Sequence, residues 1–322
     1  MSKNEFERIE TYFAPLAAGF DGALSLKDDA AVLAVEAGRE LVVTTDTIVE
    51  GVHYIGDETP DLIARKLLRV SLSDLAAMGA DPIAYTLNVA LPRGTGDNWL
   101  EAFAGGLRAD QDAFGIHLAG GDSVSTPGAA VLTATLFGSV PAGMAVRRSG
   151  ASPGDVIFVS GTMGVSAFGL AAAQGALSAD KSDIDALEAR YRLPLPRVNL
   201  GGCLREIATA AADVSDGLLA DLGHITEASG CGAMIELEKI PLSPAVRRLV
   251  DEDAGRWGQV VTGGDDYEIV FTGRNESRVT EFSARLGLPI TAIGRVTPGK
   301  GIEVRKSDGE PISFAAAGYK HA

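Results

Sequence analysis

The sequence predicts a protein of two α/β domains with mixed sheets, and three observations lead to this prediction. Segments with strand periodicity alternate with segments of helical periodicity, which is typical of sheets covered by helices. The chain has 322 residues, enough for two domains of ordinary size. A turn-rich stretch, VRRSGASPGD at 146–155, interrupts the alternation near the middle. We therefore expect an N-terminal α/β domain at 1–145 and a C-terminal α/β domain at 146–322.

In the first domain, apolar residues at helical spacing predict a helix over 5–17. Thr59 followed by Pro60 is a start signal for a second helix, which reaches about Gly79. A third helix is predicted at 97–114. Short apolar runs predict strands at 30–35, 40–46, 86–91, 116–122 and 130–140.

In the second domain, the run VIFVSG at 156–161 predicts a strand, and a glycine turn joins it to a helix beginning near Gly164. The amide groups of this turn, Gly161 to Gly164, can face an anion, although a plain tight turn is the more ordinary explanation. Further helices are predicted at 182–191, 196–210 and 217–229, and strands at 232–237, 267–271, 292–296 and 301–306.

The segment from Gly294 to Lys300 nearly matches the P-loop that binds nucleotides. Gly301 stands where a P-loop requires Ser or Thr, and the segment lies between two strand-like runs rather than before a helix. We interpret it as a hairpin turn.

The composition excludes several classes of protein. The net charge of −15 disfavours nucleic acid and anionic membranes as main partners. Two cysteines, Cys203 and Cys231, cannot form a CxxC metal site or a disulfide framework. The beginning MSKNEFERIETYF lacks an apolar signal core, so we expect a cytoplasmic protein. The 39 glycines show no collagen-like period and are assigned to turns and close backbone contacts.

Several carboxylates lie beside small residues at the ends of predicted elements, where active sites of α/β folds gather. Any one of them has an ordinary explanation as a cap or turn residue, but the five groups together favour a common site. The groups are Asp28-Asp29, Thr44-Thr45-Asp46, Gly120-Gly121-Asp122, Asp213-Val214-Ser215-Asp216 and Gly263-Gly264-Asp265-Asp266.

Asp74 lies in the apolar stripe of the helix predicted from residue 60 to residue 79. A desolvated carboxylate costs several kcal/mol unless it is paired or bound to a metal. One interpretation is a buried salt bridge to Lys66 or Arg69, and the other is a metal ligand held by a rigid helix. This residue alone does not decide between them.

The donor types indicate the metal. Aspartate, serine and threonine oxygens without grouped histidine or cysteine suit Mg²⁺ or Mn²⁺ rather than zinc. Magnesium held by carboxylates usually binds phosphates as well, and a protein of charge −15 needs such cations to hold ATP. Arg147 and Arg148 are candidates for a phosphate clamp, and His53 is the histidine nearest to the acidic groups in sequence. The residues therefore favour a phosphoryl-transfer site.

Seven segments, taken together and in order, resemble the thiamine-monophosphate kinase family of the aminoimidazole-ribonucleotide synthetase-like superfamily. They span nearly the whole chain, and VEGVHY and DVSDGLLADL are the most specific parts. The segments are KDDAAV (27–32), TTDTIVEGVHY (44–54), SLSDLAAMGADP (71–82), GGDS (120–123), RRSGASPGD (147–155), DVSDGLLADLGHI (213–225) and GGDDYEIVFT (263–272).

The resemblance implies ATP-dependent phosphorylation of thiamine monophosphate to thiamine diphosphate, and a homodimer whose N-terminal domains pair through a shared β-barrel. Implied Mg²⁺ ligands are Asp29, Thr44, Thr45, Asp46, Asp74, Asp122, Asp213 and Asp216. Implied ATP contacts are Gly121, Asp122, Arg148 and Ser215. Implied substrate contacts are His53, Asp265 and Tyr319.

The sequence departs from the family pattern in two places. Asp265 stands where the family usually has Glu, and the ending GYKHA lacks the usual final Phe. Alternatives to the kinase are another ATP-using member of the superfamily, of the purine-pathway synthetase type, and a non-catalytic nucleotide or metal sensor. Selenophosphate synthetase is disfavoured because no Cys precedes Cys203, and the hydrogenase-maturation dehydratase because the ending has no Cys.

Overall fold

The protein is described by a computed structural model that covers residues 5–314 and residue 318. The chain divides into two compact units. The first comprises residues 1–75 and 80–143, and the second comprises residues 76–79 and 144–322. Each unit is a mixed α/β structure with one sheet in the part of the chain described.

The first unit is built on a four-stranded sheet of order β1-β4-β2-β3. Strand β1 pairs antiparallel with β4, β4 antiparallel with β2, and β2 parallel with β3. The core forms where the helices meet one face of this sheet, and it includes Leu68, Leu72, Phe103 and Leu136, all fully buried. The elements are α1 (Glu5–Arg8), β1 (Arg39–Val49), α2 (Pro60–Ala77), β2 (Asp81–Pro92), α3 (Asp97–Phe114), β3 (His117–Thr126) and β4 (Val131–Pro141).

The second unit is built on a seven-stranded sheet of order β11-β10-β7-β9-β5-β8-β6. Buried apolar residues form one cluster around α4 and α7 and another around α6 and α10. The elements are β5 (Val156–Ser160), α4 (Val165–Ala173), α5 (Lys181–Arg192), α6 (Val198–Ile207), β6 (Ala210–Asp213), α7 (Leu218–Ser229), β7 (Gly232–Glu236), α8 (Pro244–Glu252), α9 (Trp257–Thr262), β8 (Ile269–Gly273), α10 (Glu276–Leu286), β9 (Ile290–Thr297), β10 (Gly301–Arg305) and β11 (Pro311–Ile312).

Two predictions for the N-terminal segment are wrong. The helix predicted over 5–17 is α-helical only to Arg8 and continues as a π-helical stretch and a short 3₁₀ turn. Pro15 lies in that 3₁₀ turn and has no amide hydrogen to continue an α-helix. The strand predicted at 30–35 is an irregular segment, in which Val32 is 64% exposed and donates its amide hydrogen bond to Gly22.

The hairpin predicted at 294–300 is also wrong. Strands β9 and β10 both pair with β7, which lies between them, so the connection crosses the start of β7. Gly232 permits this crossing, since a Cβ there would lie 2.9 Å from Thr297 Oγ1 and 3.1 Å from the Gly301 carbonyl oxygen. The segment is a turn, but it does not join neighbouring strands.

No element was predicted at β6 or at α8, α9 and α10. Helix α8 begins with Ser243, whose hydroxyl accepts the amide of Val246, and with Pro244, so its start signal is present in the sequence. Strand β6 is nearly all alanine, which has little strand preference, and it forms because its partner β8 is available. In the described part of the chain, no helix combines the length and apolar character needed to span a bilayer.

Candidate active site

Strand β1 and helix α2 bring three of the expected ligands together. Thr44 and Asp46 are two residues apart on β1 and therefore face the same side of the sheet. The hydroxyl of Thr44 donates a 2.5 Å hydrogen bond to Asp74 Oδ2, and the hydroxyl of Ser71 donates a 2.6 Å bond to Asp46 Oδ2. Asp74 is half-buried although its helix neighbours Ser73 and Leu75 are fully buried. The Asp74 carboxylate is therefore accessible to solvent although it lies in the apolar stripe of α2.

The charge state of Asp46 reflects this arrangement. Burial raises the pKa of Asp46, while hydrogen bonds with Ser71 and Asp74 and the charge of His53 oppose the rise. Two carboxylates in hydrogen-bond contact need a shared proton or a cation between them. Hydroxyl and carboxylate oxygens are the ligands that Mg²⁺ prefers, so the side chains at this place fit a magnesium ion.

The two cations considered as salt-bridge partners of Asp74 make other contacts. Arg69 forms an ion pair with Asp110, with a 2.7 Å distance between Nε and Oδ2. The ammonium group of Lys66 donates a 2.9 Å hydrogen bond to the carbonyl oxygen of His53. These bonds connect α2 to α3 and to the turn after β1, and Asp74 contacts Thr44.

Thr45 lies on the other face of the sheet, which is open. Its hydroxyl is 3.0 Å from that of Thr135 on β4, and both groups are exposed. Asp122 on β3 lies opposite Asn88 on β2. Asn88 in turn lies opposite Thr133 on β4, and Thr133 lies opposite Thr47 on β1, so Asp122 is on the same open face as Thr47. The expected ligands of the first unit are therefore divided between the two faces.

A cavity of about 520 Å³ lies beside strand β3 in the first unit. Asp28 and Asp29, from the irregular segment before β1, line it together with Asn88, Gly121 and Asp122. At Gly121 a Cβ would lie 1.9 Å from the Leu87 carbonyl oxygen, so only glycine fits between β2 and β3 at this point. The structure thus brings Asp29, Gly121 and Asp122 to one concave surface.

His53 lies in the turn that follows β1. Its Nδ1 atom accepts a 3.1 Å hydrogen bond from the amide of Val49, which orients the ring. Its carbonyl oxygen accepts a hydrogen bond from Lys66 on α2, and the ring lies within electrostatic range of the Asp46 carboxylate. His53 therefore belongs to the same region of the first unit as Thr44, Asp46 and Asp74.

In the second unit, Asp213, Ser215 and Asp216 lie where strand β6 passes into helix α7. The carboxylate of Asp221, in the first turn of α7, accepts the amides of Ser215, Asp216 and Gly217, each at 3.1 Å. Burial raises the pKa of Asp221 to about 6, the bonds from the Asp216 and Gly217 amides lower it, and the charge of Asp216 raises it. Asp216, Asp221 and His224 present ligand atoms that lie within 4.8 Å of one another.

A second loop, residues 263–268, runs beside the first. The amide of Asp265 donates to the Ser215 carbonyl oxygen and that of Tyr267 to the Val214 carbonyl oxygen, both at 2.8 Å. Asp265 has a φ of +67°, a left-handed conformation that is uncommon outside glycine. The hydroxyl of Tyr267 donates a 3.2 Å hydrogen bond to the carboxylate of Asp265. Asp265 is thus held beside Ser215.

Arg148 is exposed and lies close enough to the same loop for its charge to lower the pKa of Asp221. Its backbone is anchored by Ser229, the last residue of α7. The Ser229 hydroxyl accepts the amides of Gly150 and Ala151 at 3.1 Å and donates to the Arg148 carbonyl oxygen at 3.3 Å. Helix α7 therefore contacts the Asp213–Gly217 loop at one end and the Arg148 turn at the other.

In the glycine turn at 161–164, the amides of Gly161, Met163 and Gly164 have protein partners, which are the carbonyl oxygens of Pro289 and Pro241 and the carboxylate of Asp266. Asp266, 2% exposed, accepts the amides of Gly164 and Ser166 at the start of α4, at 2.5 and 3.0 Å. Glu268, fully buried, receives hydrogen bonds from Arg190, Arg197 and Ser160. These contacts favour the ordinary explanation, a tight turn that joins β5 to α4.

Sequence reasoning missed Ser71, Asn88 and Asp221. Serine in a helix and asparagine in a strand carry no distinctive pattern, so only the fold reveals Ser71 and Asn88. Asp221 occurs within DVSDGLLADL, but an acid in the first turn of a helix is ordinary there. Tyr319 lies outside the described residues. The neighbouring Gly318 packs against Asp216 and Ala220, where a Cβ would lie 2.6 Å from the Asp216 carbonyl oxygen.

Residues 27–140 match the family "AIR synthase related protein, N-terminal domain", and residues 152–307 match the corresponding C-terminal domain family. The thiamine-monophosphate kinase of Salmonella typhimurium strain LT2 is 42% identical over 100% of this chain and 99% of its own length. This chain belongs to the thiamine-monophosphate kinase family.

Solved structures agree with this membership. The thiamine-monophosphate kinase of Stenotrophomonas maltophilia K279a is 42% identical, with a TM-score of 0.85 over 97% of this chain and 99% of that chain. A structure described as AaThiL complexed with AMPPCP and TMP is 30% identical, with a TM-score of 0.80 over 92% of this chain and 91% of that chain. The predicted mixed α/β, two-domain fold of this superfamily is confirmed.

Proposed function

We propose that this kinase transfers the γ-phosphoryl group of ATP to thiamine monophosphate and so forms thiamine diphosphate. The observation that carries the proposal is the full-length match to thiamine-monophosphate kinases, one relative of which was solved with AMPPCP and TMP. The retained motif residues support it: Thr44, Asp46 and Asp74 form one group of the first unit, Asp29 and Asp122 line a cavity of the same unit, and Asp216 lies beside Asp221 in the second. Both substrates are charged phosphates that do not cross membranes unaided, which supports a cytoplasmic reaction.

Eight residues are proposed to hold Mg²⁺. In the first unit they are Asp29, Thr44, Thr45, Asp46, Asp74 and Asp122, and in the second they are Asp213 and Asp216. For Thr45 we propose the main-chain oxygen as the donor, because its hydroxyl pairs with Thr135 on the open face. When bound, Mg²⁺ neutralises the negative charge that two phosphate groups bring together.

The substrates are assigned to the remaining motif residues. We propose that Gly121, Asp122, Arg148 and Ser215 contact ATP, with the Arg148 guanidinium pairing with a phosphate. His53, Asp265 and Tyr319 are proposed to contact thiamine monophosphate. The anchoring of Arg148 by Ser229, and of Asp265 by Tyr267 and Ser215, supports these roles because it limits the motion of the groups that recognise each substrate.

The chemistry requires no covalent intermediate. The terminal phosphate of thiamine monophosphate has a second pKa near 6, so its oxygen is an ionised nucleophile at neutral pH without a general base. In the proposed step this oxygen forms a bond to the γ-phosphorus, and the bond from that phosphorus to the β,γ-bridging oxygen breaks. The bonding electrons leave with ADP. The residues described here serve to align the two anions for in-line transfer.

The direct test is a chromatographic assay of the purified protein with ATP, Mg²⁺ and thiamine monophosphate. We expect thiamine diphosphate and ADP in equal amounts, no product without metal, and none with free thiamine as acceptor. Folded protein that binds ATP but forms no thiamine diphosphate would overturn the proposal.

We further propose that the chain forms a homodimer through the open face of the first unit, with a shared β-barrel. Strand β1, 11 residues long, is an edge of the four-stranded sheet, and Leu41 and Val43 on it are 43% and 52% exposed. Long exposed apolar edges favour pairing with another chain. Val43→Lys should shift the mass measured by light scattering from dimer to monomer, whereas Leu195→Lys, at a position 45% exposed in the second unit, should not.

A further inference from the structure

Asp221 is a buried carboxylate that neither substrate is proposed to touch. It is 1% exposed and lies in the first turn of α7. A single oxygen, Oδ2, accepts the three successive amides of Ser215, Asp216 and Gly217. One carboxylate oxygen that accepts three successive amides holds this stretch of backbone in a single arrangement.

The loop from Asp213 to Gly217 is held from the opposite side as well. Its carbonyl oxygens at Val214 and Ser215 accept the amides of Tyr267 and Asp265. Gly217 has a φ of +124°, and a Cβ there would lie 2.8 Å from the Thr262 carbonyl group. The backbone of the loop thus has partners on both edges: the Val214 amide donates to the Glu268 carbonyl oxygen, and the amides of Ser215, Asp216 and Gly217 donate to Asp221.

We propose that Asp221 is a positioning residue, which acts by fixing the backbone that carries Ser215 and Asp216. The inference rests on the proposed function, since Ser215 is there assigned to ATP and Asp213 and Asp216 to Mg²⁺. With the Asp221 carboxylate in place, the side chains of Asp213 and Ser215, which flank Val214, keep fixed directions. Without it, the three amides would turn toward solvent and the loop would sample several conformations, which lowers affinity for any ion or nucleotide that needs a fixed arrangement.

The test compares Asp221→Asn with the native protein and with Asp183→Asn. Asp183 is also buried in the second unit, where it accepts hydrogen bonds from Arg248, and it serves as the control for loss of a buried carboxylate. We expect Asp221→Asn to weaken Mg²⁺-dependent binding of a non-hydrolysable ATP analogue by about tenfold or more, measured by calorimetry. The free Mg²⁺ required for half-maximal activity should rise similarly, while kcat at saturating Mg²⁺ recovers to within about threefold of the native value.

Several outcomes overturn the proposal. The proposal is wrong if folded Asp221→Asn binds the ATP analogue as tightly as the native protein. It is also wrong if Asp183→Asn loses as much affinity for the analogue as Asp221→Asn does. A kcat that saturating Mg²⁺ does not restore would overturn it as well, because it indicates a role beyond positioning.

If the Asp221→Asn variant fails to fold, a second measurement on the native protein alone still tests the proposal. Hydrogen exchange followed by NMR should show the amides of residues 215–217 protected as strongly as those inside α7, and fast exchange overturns the proposal. If the native protein forms no thiamine diphosphate, the proposed function fails, whereas exchange and analogue binding still decide the role of Asp221.

Discussion

The hydroxyl of Thr44 donates a 2.5 Å hydrogen bond to the carboxylate of Asp74 and so joins strand β1 to helix α2. This contact brings together two segments that are 30 residues apart in sequence and that both carry expected magnesium ligands. It also explains why an aspartate occupies an apolar helix stripe. The carboxylate has a polar partner on the sheet and retains access to solvent.

Asp74→Asn tests the metal role of this carboxylate. The substitution removes the charge and keeps the volume, so we expect at least about a hundredfold loss of thiamine diphosphate formation with an unchanged melting temperature. The control is Asp112→Asn, which makes the same change at an exposed position of α3. Near-normal activity in Asp74→Asn would contradict the proposed role.

The alternation of β1 makes different predictions for its two neighbouring threonines. Thr44→Val removes the hydroxyl that contacts Asp74, and we expect activity to fall by about tenfold. Thr45→Val removes a hydroxyl that contacts Thr135 on the open face, and activity should stay within about threefold of the native value. Steady-state rates at saturating ATP measure both. Equal losses in the two variants would show that the faces of β1 are not distinguished.

Asp265→Glu restores the residue usual in the family and lengthens the side chain by one methylene. Because Asp265 is proposed to contact thiamine monophosphate, KM for that substrate should change by about tenfold, and KM for ATP should stay within about twofold. The measurement is a pair of titrations, each with the other substrate saturating. Parallel changes in both KM values would remove the assignment.

Removing the charge of Glu268 should cause a large loss of stability. Glu268→Gln leaves the guanidinium groups of Arg190 and Arg197 without their buried counter-charge, and we expect the free energy of unfolding to fall by about 3–5 kcal/mol. The matched control is Glu206→Gln, where the pair with Arg278 is exposed and should contribute less than about 1 kcal/mol. Urea unfolding measures both, and equal effects would contradict the prediction.

Asp266 predicts a pH dependence of stability. The pKa of Asp266 is raised from 3.8 to about 7, and burial is the largest cause. The charge of Glu268 also raises this pKa, whereas hydrogen bonds from the Ser166 and Gly164 amides and the charge of Arg190 lower it. The folded protein therefore holds a proton that the unfolded chain releases near pH 4. The contribution of this group to stability is lost as pH rises from about 4 to about 7, with a slope of at most about 1.4 kcal/mol per pH unit. In Asp266→Asn, urea unfolding at pH 5, 6 and 7 should give a flatter profile than in the native protein, and an equal slope would contradict this.

The regular elements with strong patterns were predictable from the sequence. Helix α3 has the predicted limits because apolar residues recur along it and Gly115 ends it in a left-handed conformation. Strand β6 was not predictable, since its alanines have no strand preference and pair only because β8 is beside them. The segment 30–35 shows the reverse case, an apolar run that forms no strand in the described structure.

The site shows the same division. Asp74 could be found because a carboxylate in an apolar stripe is unexpected. The sequence does not distinguish Asp221 from an exposed acid in the first turn of a helix, or Asp266 from an exposed acid in a loop, although each is buried and accepts several backbone amides. Their roles depend on which backbone groups the fold brings to them. Periodicity does not contain that information.

The strand order of the second unit has a consequence for how the chain is made on the ribosome. Strand β5 begins this unit, yet its partners β8 and β9 are translated more than a hundred residues later. The sheet of the first unit is complete once Pro141 has emerged, whereas β5 must wait until Thr297 for its full set of neighbours. Five consecutive buried residues, Val156–Ser160, are exposed to chaperones and to other nascent chains throughout that interval.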